Sequence, residues 1–307
     1  MSPGPVSKLT HAEYRSISES HPSADDLPVR VITPHDGLDA FRHAFTSLIR
    51  DRHFTRELAW RMFVRDTKAM FRGSFLGWFW LLLPALANTL VWVFLSGTNV
   101  VQIDSGSTPY PLFVFVGTLL WTAFNGALVA GLGVIEEAKG TLAKVNFPHE
   151  ALVLSALGKT VLNTAATSVA LVPFLILYPV SVRAEMLLFL PGIMATTLCG
   201  LAFGLIFVPV AALVSDLSRG IHLALRFAFF LTPVIFPLPE SGTGRLVMLL
   251  NPATSLVVTS RAWLLGGEDP MLLTFAIVVA GSLLLLGTGL IALKVALPHL
   301  IERLSGA

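Results

Sequence analysis

The chain reads as an all-α integral membrane protein. Six transmembrane helices are expected, with both termini on the cytosolic side. An N-terminal amphipathic helix lies in the interface, and a re-entrant external hairpin separates spans five and six. Three observations predict this. Residues 73–103 carry no charged side chain, and residues 105–135 repeat the pattern after Asp104; each window exceeds the ~20 apolar residues that cross a bilayer core. Hydrophobic residues make up 54% of the 307-residue chain and charged residues 13%, where a soluble domain carries roughly 25% charge. The cations are also unevenly placed, with 11 of the 21 Lys and Arg falling before Gly73.

Residues 1–27 are rich in Ser, His, Pro and Asp, a composition that does not bury enough apolar surface to fold. Pro28 to Gly37 suits a short extended piece ending in a turn. Residues 1–40 therefore form a lead, without a signal-peptide core, and the first span is expected to stay in the membrane. From 41 to 72 the pattern is helical and basic. Arg61, Arg65, Lys68 and Arg72 recur at one-face spacing while Ala59, Met62, Phe63 and Met70 fall largely on other faces, so the helix should lie on the cytosolic interface.

Residues 73–307 form the membrane domain. Its charge-free windows are 73–103, 105–135, 160–182, 186–215 and 270–293. A further span is expected at 221–238, where Arg226 and His222 sit near the start and Arg226 snorkels to the headgroups. The window 246–260 is short and interrupted by Pro252, which suits a hairpin rather than a crossing. With the N-terminus inside, the cytosolic side holds Arg56, Arg61, Arg65, Lys68, Arg72, Lys139, Lys144, Lys159, Arg219, Lys294 and Arg303, against Arg183, Arg245 and Arg261 outside. That imbalance orients the chain with N- and C-termini in the cytosol. Gly73-xxx-Gly77 and Gly200-xxx-Gly204 permit close helix contacts.

The motifs exclude several chemistries. Gly158-Lys159-Thr160 resembles the end of a phosphate-binding loop, but Val153 stands where that loop needs glycine. Lys159 is instead expected to anchor the start of a span. Cys199 is the only cysteine and lies in an apolar run, which excludes a multi-cysteine metal site. No HExxH or GxSxG motif occurs, and the acidic residues Asp104, Glu185, Asp216 and Glu240 fall at expected span ends. Ion-driven carriers keep an ionisable group near the midplane, so an external energy source is expected, most simply a separate ATPase. The loop Glu136, Glu137, Lys139, Lys144, Phe147, Pro148, His149 and Glu150 can dock such a partner, with Phe147 as its apolar anchor. Aromatic residues crowd the first two spans, among them Phe75, Phe79, Trp92, Phe113 and Trp121; they suit either interfacial belts or a conduit whose walls stack on sugars.

Four segments resemble one family in order. Arg65-Asp66-Thr67-Lys68-Ala69-Met70-Phe71-Arg72-Gly73-Ser74-Phe75-Leu76-Gly77-Trp78-Phe79-Trp80 resembles the entry to the first span of polysaccharide-exporting ABC transporter permeases. Lys144-Val145-Asn146-Phe147-Pro148-His149-Glu150 is similar to their cytosolic loop after span two, with His149 where arginine is often found. Leu231-Thr232-Pro233-Val234-Ile235-Phe236-Pro237, followed by Leu249-Leu250-Asn251-Pro252-Ala253-Thr254 and Arg261, resembles span five and the external hairpin. Pro28-Val29-Arg30-Val31-Ile32-Thr33-Pro34 resembles the lead segment of one branch. The resemblance implies a homodimer of six-span subunits working with two copies of a separate ATPase that binds ATP and magnesium, with no cofactor in this chain. It implies that residues 41–70 are a gate helix whose Arg61, Arg65, Lys68 and Arg72 meet the substrate headgroup. It further implies that 136–150 is the coupling element, and that 240–267, with Asn251, Pro252 and Arg261, is the outer gate. Spans one and five, with Phe229 on the latter, would frame a channel for a lipid-linked glycan such as O-antigen, capsule or teichoic acid. An exporter of drugs or lipids, and an ion-coupled carrier, are the other function classes to weigh.

Overall fold

The computed structural model describes residues 52–98, 108–142, 150–267 and 271–305. The expected lead 1–40, the gate helix before Arg52, and Lys144, Phe147, Pro148 and His149 lie outside these. Among the described residues every regular element is a helix, joined by turns and irregular stretches, with no strand. The helices are α1 (Arg52–Phe71), α2 (Phe79–Gly97), α3 (Tyr110–Leu132), α4 (Val134–Leu142), α5 (Glu150–Val169), α6 (Leu171–Leu177), α7 (Phe189–Ala211), α8 (Ser215–Phe230), α9 (Thr243–Leu250), α10 (Pro252–Leu265) and α11 (Leu272–Ser305).

Five stretches are long and apolar enough to cross a membrane: Phe79–Gly97, Tyr110–Leu132, Glu150–Leu177, Ala184–Ala211 and Leu272–Ala296. The chain is thus a multi-pass membrane protein. Their ends follow from local chemistry. Gly73 has φ +78°, a left-handed backbone that glycine adopts without strain, and it turns the chain out of α1. Phe71 and Trp78 stack across that turn at 4.8 Å, so the first span starts at Phe79 rather than at the edge of the charge-free window. Pro111 in the first turn favours the start of α3, and Gly133 closes it. Between α5 and α6 the helix breaks at Ala170, four residues after Ala166 and three before Pro173; Pro173 has no N–H for the preceding turn.

Two expected boundaries move. The third span begins at Glu150, ten residues before the window that suggested it, so Lys159 sits well inside the helix instead of opening it. The expected span at 221–238 is the 16-residue helix Ser215–Phe230, about 24 Å long at 1.5 Å per residue. It ends because Pro233 follows shortly, and the chain runs on as turns through Phe236. The stretch expected as a hairpin is two helices, α9 and α10, meeting at Asn251.

The core is centred on α3. Of its apolar window 78% is buried, against 11% for α2 and 17% for α11, so α2 and α11 present most of their surface outward. Helix α7 lies against α3 at backbone distance. A Cβ on Gly200 would come within 2.2 Å of the Phe124 carbonyl, and one on Gly204 equally close to that of Leu128. The small-residue spacing expected to allow close contact therefore serves packing inside the subunit. Gly73-xxx-Gly77 makes no such helix contact; a Cβ on Gly77 would meet only the Phe71 ring.

Candidate functional site

Two clusters stand out, one around the start of α5 and one around Arg261. In the first, α1 buries Ala59 and Met62 in a core shared with Val134, Ile135, Ala138, Ala151, Leu152 and Ala156. The stripe Leu58, Ala59, Met62 and Phe63 faces inward at helical spacing, while Arg61, Arg65, Lys68 and Arg72 stay exposed. All four cations are exposed, and Arg65 also lines a small cavity with Asp66 and with Leu152, Ser155 and Lys159 of α5. Arg61 pairs with Glu57 at 2.6 Å and Arg65 with Asp66 at 2.9 Å; exposed pairs of this kind contribute little stability and remain available to another anion.

The described ends of the segment expected to couple to an ATPase are both tied down. Glu137 on α4 pairs with Lys159 of α5, and Lys159 also lies 3.5 Å from Asp66 of α1. Glu150 accepts from Lys294 of α11 at 2.6 Å. Glu136 is exposed at the same end of the bundle. It borders a cavity of about 240 Å³ shared with Arg219 and His222 of α8. Lys139 falls within α4. The motifs had not marked Asp66 and Lys159 as partners. A signal existed, because Lys159 is the only charged residue between Glu150 and Arg183, and a lone cation in an apolar run needs a partner.

The second cluster joins residues expected at the outer gate. Arg261 is 6% exposed. Its Nη1 donates to the Pro233 carbonyl at 2.9 Å and the Val234 carbonyl at 3.3 Å, and the guanidinium lies 3.7 Å over the Phe113 ring. Among the described residues no carboxylate forms an ion pair with it. Carbonyl oxygens and a π face therefore stabilise the charge. Asn251 caps α10 by accepting from Ala253 N–H at 3.0 Å, and its Nδ2 donates to Thr232 Oγ1 at 2.7 Å. Pro252 occupies the first turn of α10, where its missing N–H costs nothing. A Cβ on Gly117 would come within 2.2 Å of the Val234 carbonyl. Turn 231–236, helix α10 and helix α3 thus form one interlocked corner.

The aromatic candidates separate. Trp121 packs edge-on against Phe229 at 6.0 Å, and Phe229 meets Phe230, which contacts Trp92 at 6.3 Å. These rings connect α2, α3 and α8. Phe113 is buried beneath Arg261. Phe75 is fully exposed in the turn before α2, and Phe79 is exposed at its first residue. No group of three or more potential metal ligands occurs among the described residues.

The comparisons agree with this architecture. The family model of the ABC-2 type transporters matches residues 57–265, which spans α1 through α10. The chain is also 28% identical over 218 residues to the O-antigen export system permease protein RfbA of Myxococcus xanthus, a match covering 70% of this chain and 83% of that protein. The residues matched by the family model take in the basic helix, the segment 136–150 and the Arg261 corner together. The resemblance read from the four segments thus holds at family level, and the chain belongs to the ABC-2 type transporters, as a membrane permease subunit.

Proposed function

We propose that this chain is the membrane subunit of an ATP-driven exporter that moves a lipid-linked polysaccharide, of the O-antigen, capsule or teichoic-acid class, across the cytoplasmic membrane. Two copies form the translocation path, and two copies of a separate ATPase bind ATP and magnesium beneath it. The carrying observation is the similarity to an O-antigen export permease over most of both chains, combined with a sequence that holds no phosphate-binding loop of its own. The chain crosses six times with both termini cytosolic, α8 and the turn after it completing the fifth crossing.

In this reading the segment from Glu136 to Glu150 receives the ATPase, with Phe147 seated in the partner. Nucleotide-driven movement of α4 is felt by α5 and α1, because Glu137 of α4 and Asp66 of α1 share Lys159 of α5, and α5 is tied in turn to α11 by Glu150 and Lys294. The exposed Arg61, Arg65, Lys68 and Arg72 attract the phosphate or pyrophosphate of the lipid carrier, a charge-assisted contact. Asn251, Pro252 and Arg261 keep the outer side closed until the path opens. Trp92, Trp121 and Phe229 border the path where α2 and α8 converge, and Phe75, Phe79 and Phe113 stand nearer its ends.

The experiment is a deletion combined with purification from native membranes. Loss of this chain should leave glycan accumulating in the cytosol, and the wild-type chain should bring down an ATPase in equal numbers. Replacing Arg61, Arg65 and Arg72 together by Ala should reduce export by about tenfold or more, as expected for losing more than one charge-assisted contact, with the ATPase still bound. Undiminished export would remove these arginines from headgroup binding. Recovery without an ATPase would favour an ion-coupled carrier, and normal glycan export in the deletion would favour a drug or lipid as cargo.

A further inference from the structure

Lys159 lies on the third turn of α5, 18% exposed, and it has carboxylate partners on two other helices: Asp66 of α1 and Glu137 of α4. Asp66 also accepts from Arg65 Nε at 2.9 Å. The charges therefore alternate Arg65, Asp66, Lys159, Glu137, and they sum to zero. A cavity of about 20 Å³ lies among them, room for about one water, and the ion pairs themselves couple the groups directly.

The packing around this network is unequal. Helix α1 is fitted to α5: the Phe63 ring lies where a Cβ on Gly158 would come within 3.1 Å, and Ala59 and Met62 share a core with Ala156. Helix α4 is short, and the Glu137 carboxylate is 59% exposed, so it is the member with room to move.

We propose that Lys159 is the positioning residue that transmits a displacement of α4 to the gate helix α1. The inference rests on reading the chain as an exporter subunit driven by an ATPase. One ammonium is shared by two carboxylates on different elements. Drawing Glu137 away leaves Asp66 as its remaining partner and tightens α1 on α5. Pressing Glu137 inward competes for the ammonium and loosens the end of α1 that carries Arg65, Lys68 and Arg72. Lys159 touches neither cargo nor nucleotide, and its effect is on how much export each hydrolysed ATP supports.

The test uses the full complex with its ATPase, scoring ATP turnover in lipid nanodiscs and surface glycan in cells. Lys159→Met keeps the apolar stem and removes the charge. It should leave ATPase association intact while raising ATP consumed per exported glycan by about fivefold or more, the usual lower range of coupling between sites. Lys159→Arg should restore most of the coupling. Asp66→Asn, on a different helix and away from the ATPase dock, should reproduce the defect even if Lys159→Met assembles poorly. The double variant should be no worse than Lys159→Met alone, since both remove one link. Unchanged coupling in Lys159→Met, or defects that multiply in the double variant, would overturn the proposal. Loss of the ATPase from Lys159→Met would also overturn it, making Lys159 part of the dock instead. A wild-type chain that binds no ATPase would defeat the exporter reading itself, an outcome read before any variant is made.

Discussion

Arg261 shows how one buried charge can organise a corner of the fold. Desolvating a guanidinium is costly unless its donors are used, and here they meet two carbonyls of the turn 231–236 while the plane rests on Phe113. Those carbonyls are free to accept because Pro233 and the turn have left the helical ladder of α8. Both bonds come from Nη1; the compact ammonium of lysine could reach these carbonyls, but on its flexible stem it does not also lay a planar cation over the Phe113 ring. Arg261→Lys should therefore destabilise the purified protein by about 1–3 kcal/mol, from weakened charged hydrogen bonds and a weakened cation–π contact. Thermal unfolding in detergent reads this, and an unchanged melting temperature would mean the corner is held by Asn251 and apolar packing alone. The sequence marks Asn251, Pro252 and Arg261 as a group, because they recur in a spacing that resembles a family hairpin. It does not mark Phe113 or the carbonyls of Pro233 and Val234. Those partners are far along the chain, and backbone oxygens carry no residue signature.

At the scale of elements, the apolar windows locate the long helices well and their ends poorly. A charge-free window ends at the first charged residue, whereas a helix ends where its backbone bonds fail. Glu150 begins α5 as an acid in the first turn, favourable to the helix dipole, and its charge is met by Lys294 across the bundle; the window rule discards the ten residues it opens. The opposite error befalls α8, where residues as far as Pro237 look apolar but Pro233 stops the helix first. The glycine spacing on α7 was legible, while its partner was not, since a close contact can be made within a subunit or between two. The structure puts it against α3. Gly204→Ala should accordingly force α7 off the Leu128 carbonyl, where a Cβ would sit at 2.2 Å. Overpacking of this kind costs about 1–3 kcal/mol, and backbone cannot swing aside as a side chain can. A lowered melting temperature with normal membrane insertion is the expected result; full stability would require α3 and α7 to separate without penalty.

At the scale of the whole molecule, the decisive quantity is the parity of crossings. Five stretches meet the length and apolarity of a span, and an odd number of crossings would put α1 and the far end of α11 on opposite sides. The ion pairs argue otherwise. Asp66 of α1 reaches Lys159, and Lys294 near the end of α11 reaches Glu150, so both contacts fall within the first three turns of α5. The start of the described chain and its end therefore lie at one end of α5. We propose an even count, in which α8 and the turn through Phe236 together carry the chain across, the 16-residue helix needing its non-helical extension to do so. Helix α11 is 34 residues long, about 51 Å at 1.5 Å per residue, against a hydrocarbon core of about 30 Å, so its last turns emerge on the side where Lys294 sits. The excess of Lys and Arg at this end predicts that this side is cytosolic. A reporter fluorescent only in the cytosol should be active when fused after Ala307, and a reporter active only outside should be silent there. The same pair inserted at Thr108, just before the second span, should give the reverse. A C-terminal fusion active only outside would break the even count and return α8 to a helix that enters the membrane without crossing it.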